Sequence, residues 1–258
     1  MNSELKISSI VIAKDEELNI GRCIRSQMEV IDEIIVIVDS STKDKTSQVA
    51  SSFKNVICEM RDWEGYSASK KYALSKTQND WIFWIDADEE FTPELTEELS
   101  KFKKKLSHSH NAFSVARRAY FLGKWIKHSG WYPARVVRFF NKNFAEFNDK
   151  EVHEGLIIKG GIGELKNDLN HYTDPTIEHY YHKFNNYTTL AANALHNSNK
   201  NANIIDFAIR PLFLFVKMYI FRLGFLDGIH GFILAVLSSA YVFTKYIKLW
   251  ELNRRERE

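Results

Sequence analysis

The sequence is poor in cysteine and almost balanced in charge, and each feature excludes a class of protein. Its 258 residues include two cysteines, Cys23 and Cys58, which do not form a CxxC pair. Neither a disulfide framework nor a thiolate metal site is therefore indicated. The 35 lysines and arginines nearly cancel the 33 acidic residues, leaving a formal charge of +2. The composition thus offers no electrostatic case for binding nucleic acid.

Two further signals are missing from the chain. No secretion signal, in which a charged start precedes an apolar run, lies between Met1 and Ile12. We therefore expect a protein that stays inside the cell, in a reducing compartment. No internal repeat is evident either. The 45% of hydrophobic residues can bury a sizeable core, and the length fits one α/β domain with an appendage or two modest domains.

Strand-like and helix-like patterns alternate through the first hundred residues. Residues 7–13 (ISSIVIA) and 33–38 (EIIVIV) are rich in β-branched side chains, and each run is followed by a helical pattern. Residues 81–85 (WIFWI) form a continuous apolar run, which is typical of a strand buried on both faces. This alternation predicts an α/β fold with an open, mostly parallel sheet flanked by helices.

Acidic residues follow three of the predicted strands. They are Asp15 and Glu16 after the first strand, Asp39 after the second, and Asp86 with Asp88 after residues 81–85. In open parallel sheets, ligands bind outside the carboxyl ends of the strands. We therefore expect these acidic strand ends to converge on one edge of the sheet and form a binding site there.

The carboxylate pair Asp86 and Asp88 predicts a metal site. Two carboxylates in one turn, together with diphosphate oxygens, suit Mg²⁺ or Mn²⁺. The alternative is an acidic turn in which Glu89 and its neighbours favour a helix N-terminus. A nucleoside diphosphate pocket is favoured by three features, which are the apolar strand before this pair, the carboxylate of Asp39 and the basic segment at Lys70. Lys70 would contact the diphosphate as a point charge, or else lie on a solvated helix face.

Basic and aromatic residues become frequent from Ala112 onwards, which predicts a mixed β region that extends the sheet. We expect this region to handle the acceptor, with Arg135 and Arg138 as acceptor or phosphate contacts. Histidines are concentrated between residues 153 and 182, without HExxH spacing. Of these, His171 is favoured as a metal ligand near the diphosphate, and His153 as an acceptor or phosphate contact.

The segments SIVIAKDEELNI, IIVIVDSSTKDKT and WIFWIDADEE resemble the family 2 glycosyltransferases, which are inverting enzymes of the GT-A fold. The resemblance is firm over roughly residues 7–100. It implies that Asp39 hydrogen-bonds the uracil ring of the donor. It also implies that Asp86 and Asp88 serve the ribose edge and the metal. Without the resemblance, Asp39 would equally well be a helix N-cap. The residues that would line the nucleotide are Ala13, Lys14 and Glu16.

An inverting transfer needs a base that takes the proton of the acceptor hydroxyl. The resemblance implies Glu154 for this role, because it follows the segment 135–140 (RVVRFF) about where the family carries its base. Asp149 and Glu151 are alternatives. An ordinary surface carboxylate is the other interpretation of any one of them.

The last part of the chain is apolar and helical in pattern, over residues 204–221 and 229–243. An uncharged stretch of 17 residues between Gly228 and Thr244 is at the lower limit for spanning a bilayer. Interfacial amphipathic helices fit better, with cations facing anionic lipids. The alternative is a helical hairpin packed on the catalytic domain or on a second subunit of a homo-oligomer.

The tail at residues 210–228 and the segment VHEG resemble bacterial lipopolysaccharide inner-core glucosyltransferases. This resemblance implies a UDP-glucose donor and a lipid-linked saccharide acceptor at the cytoplasmic membrane face.

We predict a catalytic domain over residues 1–200, with a nucleotide-sugar half (1–110) and an acceptor half (111–200), and a helical extension over 201–258. The alternatives are transfer to a polyprenyl phosphate and a non-catalytic nucleotide-sugar-binding protein on the membrane.

Overall fold

The chain forms two compact units in a computed structural model that describes residues 4–105, 108–147 and 156–255, with only the backbone described at Tyr66. The first unit comprises Met1–Arg117 and Arg135–His171, and the second comprises Arg118–Ala134 and Tyr172–Glu258. The predicted division of the chain at residues 110 and 200 stays a prediction.

Strands and helices alternate through the first unit, and helices dominate the second. The strands are β1 (Ile7–Ala13), β2 (Glu33–Asp39), β3 (Val56–Arg61), β4 (Trp81–Asp86), β5 (Glu89–Phe91), β6 (Ala112–Phe121), β7 (Lys124–Trp125), β8 (Ala134–Asn141), β9 (Ala145–Phe147), β10 (Leu156–Ile158) and β11 (Ile162–Asp174). The α-helices are α1 (Ile20–Gln27), α2 (Thr46–Ser51), α3 (Tyr66–Lys76), α4 (Pro93–Lys103), α5 (Ile177–Asn197), α6 (Arg210–Val216) and α7 (Ile229–Arg255).

The parallel half of the sheet is built from the strands that the apolar runs predicted. β1 lies between β2 and β4, and β3 extends the sheet beyond β2, with all of these pairs parallel. Side chains that alternate along β1 pack into two separate cores, with Val11 on one face of the sheet and Ile10 on the other. Helices α1 and α4 contribute to the first core and α3 to the second. The predicted α/β fold is confirmed.

The antiparallel half of the sheet begins where β8 pairs with β4, so that Phe139 lies opposite Phe83. The order continues through β6 and β11 to β5 at the edge. β5 pairs with β11 in an antiparallel register that sets His171 opposite Glu89. The turn after β4 is thereby joined to a strand that is distant in sequence.

The second unit is a helical group, as the apolar pattern beyond residue 201 predicted. Residues 205–221 are helical, with π-helical turns at Ile205–Ile209 and Lys217–Phe221 on either side of α6. Helix α7 packs against α6, where the Ser239 hydroxyl donates to the Pro211 carbonyl at 2.7 Å. It also packs against α5, where the Lys248 ammonium donates hydrogen bonds to Asn185 and Thr188, each at 2.9 Å.

A tight corner precedes α7 and leaves no room for a side chain at Gly231. A Cβ added there would lie 1.9 Å from the carbonyl oxygen of Gly224, and a backbone atom cannot move aside as a flexible side chain can. The corner is held by Asp227, whose buried carboxylate accepts the His128 backbone N–H at 2.9 Å.

We therefore expect Gly231→Ala to lower the free energy of unfolding by about 3 kcal/mol, at the upper end of the usual cost of overpacking. Urea denaturation followed by circular dichroism measures the change. Val236→Ala is the control on the exposed side of the same helix, where the loss should stay below about 0.5 kcal/mol. Equal stability of the two variants would show that the corner relaxes freely.

Candidate active site

The carboxyl ends of β1, β2 and β4 lie side by side in the sheet. Ala13 pairs with Val38, directly before Asp39, and Ile12 pairs with Asp86. Because the three strands run in parallel, the loops that follow them leave the sheet at the same edge. The acidic strand ends identified in the sequence therefore share this edge.

Asp39 is buried and held as an anion. Its Oδ1 atom accepts the backbone N–H and the hydroxyl of Ser41, both at 2.8 Å, and its Oδ2 atom lies 3.0 Å from the Lys14 ammonium. The backbone hydrogen bond from Ser41 is the largest influence on its pKa, which lies below the ordinary value although burial opposes the shift. Asp39 is not a helix N-cap, because the next helix begins at Thr46.

The loops after β1 and β2 are joined by hydrogen bonds in both directions. The Glu16 backbone N–H donates to the Thr46 hydroxyl at 2.7 Å, and the Lys43 backbone N–H donates to the Asp15 carboxylate at 2.7 Å. The Glu16 carboxylate accepts the side-chain amide of Asn19 at 2.7 Å. These bonds fix the segment from Ala13 to Glu16 against the loop that carries Ser41, so the edge beside Asp39 is preorganised.

Asp86 belongs to a buried group of ionised side chains. The Arg138 guanidinium bonds to the Asp86 carboxylate and to Glu89 Oε1, the latter at 2.9 Å. Glu89 is fully buried, accepts the Asp86 backbone N–H at 3.0 Å and lies 3.5 Å from the Arg117 guanidinium. Arg138 therefore sets the orientation of the Asp86 carboxylate, which keeps 41% of its side-chain surface exposed.

The two carboxylates of this group differ in pKa. Burial acts to raise both values. At Asp86 the Arg138 guanidinium outweighs burial, so the pKa of Asp86 lies below its ordinary value. At Glu89 burial prevails, and the nearby charge of Asp86 also raises the pKa. Asp86 thus combines the lowered pKa with the partly exposed carboxylate of the group.

Asp88 and His171 form the pair best suited to hold a metal ion. The His171 Nε2 atom lies 3.4 Å from Asp88 Oδ2, and both side chains are mostly buried. The pairing of β5 with β11 produces this approach. No cluster of three or more metal-ligating side chains occurs within residues 4–105, 108–147 and 156–255. A carboxylate and an imidazole leave most of the coordination sphere to substrate oxygens and water, a donor set that fits Mn²⁺ or Mg²⁺.

Lys70 is buried on α3, so the solvated helix face considered from the sequence does not apply. Its ammonium lies 3.7 Å from the centre of the Trp84 ring. Its charge is also close enough to Asp86 to help lower the pKa of that carboxyl group, after the larger effect of Arg138. The structure thus brings Lys70 to the same strand end as Asp86.

The predicted contact Arg135 is not brought to this group. The Arg135 guanidinium donates to the Leu165 carbonyl at 3.1 Å and lies 3.4 Å from the Glu164 carboxylate. Because side chains alternate along a strand, Arg135 and Arg138 point to opposite faces of β8. His153 and Glu154 lie outside the described residues.

Sequence reasoning missed the role of Glu89 in the buried group. The alternative interpretation placed Glu89 near a helix N-terminus, but Glu89 begins β5 and the helix starts only at Pro93. The Thr92 hydroxyl accepts the Leu95 N–H at 3.2 Å and caps that helix. The Thr-Pro pair is a recognised start signal and could have placed Glu89 outside the helix. No comparable signal in the sequence pairs Glu89 with Arg138.

We expect Arg138→Met to lower the free energy of unfolding by about 3–5 kcal/mol, because it leaves the buried Glu89 and the partly exposed Asp86 without their cation. Arg135→Met is the matched control on the same strand. Its partner Glu164 is 67% exposed, so its loss should remain below about 1 kcal/mol. Denaturant unfolding of both variants makes the comparison, and equal losses would contradict a special role for Arg138.

More than half of the chain matches a known protein family. Residues 8–161 match the model of Glycosyl transferase family 2. An uncharacterised glycosyltransferase of Rickettsia typhi is 30% identical, over 98% of this chain and 89% of its own length. The lipopolysaccharide core biosynthesis glycosyltransferase LpsC of Rhizobium meliloti is 29% identical, over 97% of this chain and 94% of its own length.

Solved structures resemble the chain more distantly. Staphylococcus aureus TarS in complex with UDP is 14% identical and covers 98% of this chain and 92% of its own, with a TM-score of 0.49. The matches in sequence therefore carry the assignment.

Proposed function

Because the chain belongs to Glycosyl transferase family 2, we propose that it transfers a sugar from a UDP-sugar to a lipid-linked saccharide, with inversion and with help from a divalent metal ion. Glucose is the sugar that we propose, and the lipopolysaccharide inner core is the proposed acceptor. The approach of Asp88 to His171, beside the Asp86 strand end, is the observation that carries the metal-dependent part of this proposal.

A uracil base is supported by the state of Asp39. An ionised carboxylate accepts hydrogen bonds only, and the imide N–H of uracil is a suitable donor. The Oδ2 atom of Asp39 is contacted by the half-exposed Lys14 ammonium at 3.0 Å, a partner that the uracil N–H could replace or join. The lowered pKa of Asp39 keeps it ionised at neutral pH. Asp39 would bind the base, and Ala13, Lys14 and Glu16 would line the nucleotide.

The diphosphate would lie near Asp88, His171 and Lys70. Asp88 and His171 would hold Mn²⁺ or Mg²⁺, and the imidazole favours Mn²⁺ as the softer ion. The bound ion would supply Lewis-acid neutralisation of charge on the leaving nucleoside diphosphate. Lys70 would add a fixed positive charge for the phosphates. Asp86, oriented by Arg138, would accept a hydrogen bond from the ribose edge.

The acceptor side of the proposal rests on the relatives and on the sequence. LpsC, by its name, acts in lipopolysaccharide core biosynthesis, which supports a lipid-linked saccharide as acceptor. Glu154 would take the proton of the attacking hydroxyl, with His153 as an acceptor contact. Such an acceptor implies work at the cytoplasmic face of the inner membrane.

A donor panel tests the proposal directly. Purified protein, Mn²⁺ and a membrane lipid extract are incubated with UDP-glucose, UDP-galactose, UDP-N-acetylglucosamine or GDP-mannose. We expect release of UDP coupled to labelling of the lipid fraction, with UDP-glucose as the best donor. Parallel reactions without lipid measure hydrolysis alone. Absence of lipid labelling with every donor would refute the proposal, and labelling of added polyprenyl phosphate alone would favour that acceptor instead.

A further inference from the structure

The second unit exposes an unusually large number of apolar side chains. Over residues 205–221 they recur at helical spacing, so they share one side of this helical segment. We call this set the apolar face, and it consists of Ile205, Ile209, Leu212, Phe213, Ile220 and Phe221. Phe213 is 61% exposed and Phe221 71% exposed. Contiguous apolar surface of this kind marks a binding surface.

Helix α7 continues the exposed apolar surface. Ile229, Phe232 and Val236 are exposed at spacings of three and four residues, which again place them on one side of the helix. The Phe232 ring contacts the Phe215 and Tyr219 rings, with centroids 6.0 and 5.6 Å apart. The two helical segments are therefore packed together, and both present apolar side chains to the outside.

The charges around the apolar face have one sign. Arg210, Lys217 and Arg222 are exposed. Between residues 204 and 250 the only acidic residues are Asp206 and Asp227, and both are buried. Asp206 is paired with Arg210 at 2.6 Å, and Asp227 accepts hydrogen bonds from the 127–128 segment. The exposed charged side chains along this stretch are thus all cationic.

An anionic bilayer is the partner that matches this combination. Aromatic and aliphatic side chains sink into the boundary between headgroups and acyl chains, while lysine and arginine contact anionic headgroups. A second copy of the chain matches less well, because a symmetric pairing of this face would bring cations against cations. We propose that the apolar face docks the second unit on the surface of an anionic lipid bilayer. This inference does not depend on the donor or the acceptor sugar.

Docking in the plane of the membrane surface fits α7 better than crossing the membrane. By length and composition, α7 is the one helix in the described part of the chain that is long and apolar enough to span a bilayer. Its Lys248 and Tyr241 side chains bond to α5, at Asn185 and Tyr187. A spanning α7 would carry the amide and charged groups of α5 into hydrocarbon, where they would lack water.

Vesicle flotation tests the docking surface with the full-length protein. The vesicles contain phosphatidylcholine alone or phosphatidylcholine with phosphatidylglycerol. We expect wild-type protein to float with the anionic vesicles, and the double variant Phe213→Glu, Phe221→Glu to lose at least about 100-fold in partitioning, since each phenylalanine contributes about tenfold when buried. Lys217→Glu with Arg222→Glu should reduce binding to anionic vesicles about tenfold or more and leave binding to neutral vesicles unchanged.

Leu190→Glu is the matched control. Leu190 lies on α5 in the same unit, is 55% exposed, and has the exposed polar residues Asn186 and Asn193 as neighbours on its helix, so this variant should float like wild type. Circular dichroism checks that every variant is folded. Release of UDP in detergent is measured on the same samples, so that a loss of docking is distinguished from a loss of the proposed transferase activity.

Three outcomes would overturn the inference. The first is equal flotation of wild type and the double phenylalanine variant. The second is retention of wild-type protein in cell membranes after alkaline carbonate extraction, which would indicate a spanning helix. The third is a wild-type dimer in light scattering that does not float and that Phe213→Glu with Phe221→Glu converts to a monomer, which would assign the face to a second copy.

Discussion

Asp88→Asn is expected to lower metal-stimulated kcat/KM about 10³-fold while the fold stays intact. Asparagine keeps the shape of the side chain but removes the charge that a divalent ion needs. A bound metal ion contributes several kcal/mol to stabilising charge on the leaving group, and each 1.36 kcal/mol corresponds to a factor of ten in rate. The measurement is initial-rate kinetics of UDP release across a Mn²⁺ titration, with circular dichroism as the check on folding.

His171→Gln tests whether the histidine serves the same ion. The 3.4 Å approach of His171 to Asp88 predicts a raised half-saturating Mn²⁺ concentration and a lowered rate. If both side chains hold one ion, the double variant should lose little more than the worse single variant, because residues that act as a unit are not additive. His182→Gln, at an exposed histidine on α5, is the control and should leave the Mn²⁺ titration unchanged.

Two results would contradict this metal assignment. One is near-normal metal-stimulated transfer by Asp88→Asn. The other is a His171→Gln variant that loses thermal stability with no shift in the Mn²⁺ dependence, since that result would make the Asp88–His171 pair a structural contact only.

Glu154→Gln is the second substitution with a large expected effect, a loss of about 10²–10⁴-fold in kcat, the usual contribution of a general base. Glutamine cannot take the proton of the acceptor hydroxyl, whereas the donor site is untouched, so KM for the UDP-sugar should change little. The pH profile provides a separate readout, because the limb that reports deprotonation of the base should disappear in the variant.

The neighbouring carboxylates serve as controls for Glu154. Asp149→Asn and Glu151→Gln should retain activity close to wild type if Glu154 is the base. A drop confined to one of these variants would move the role to that residue. Unimpaired turnover by Glu154→Gln would instead favour a phosphate acceptor, which attacks as an anion and needs little base catalysis.

The fold and the family followed from the sequence because their signals are local. Apolar runs at residues 7–13, 33–38 and 81–85 became the central parallel strands, and the apolar helical pattern beyond residue 201 became the helical second unit. The rule that parallel strand ends meet at one edge was sufficient to predict that Asp39 and Asp86 lie along the same edge of the sheet. Membership of Glycosyl transferase family 2 is confirmed, and the assigned roles of individual site residues stay predictions.

The buried ionic group was decided by the antiparallel half of the sheet. Arg138 reaches Asp86 and Glu89 only because β8 pairs with β4. Arg135 lies on the same strand, but its side chain points to the opposite face of the sheet because side chains alternate along a strand. From the sequence the two arginines looked equivalent. Lys70 likewise remained undecided until the structure buried it beside Trp84.

The surroundings of Asp88 depend partly on the local sequence and partly on the tertiary structure. The sequence alone determined that a carboxylate pair follows a buried strand at a ligand-binding edge, because strand period, burial and strand end are encoded within a few neighbouring residues. Only the tertiary structure brought His171 to within 3.4 Å of Asp88, because the register between β5 and β11 joins segments that are distant along the chain. Such a register depends on side-chain packing across the whole sheet, which no local pattern encodes.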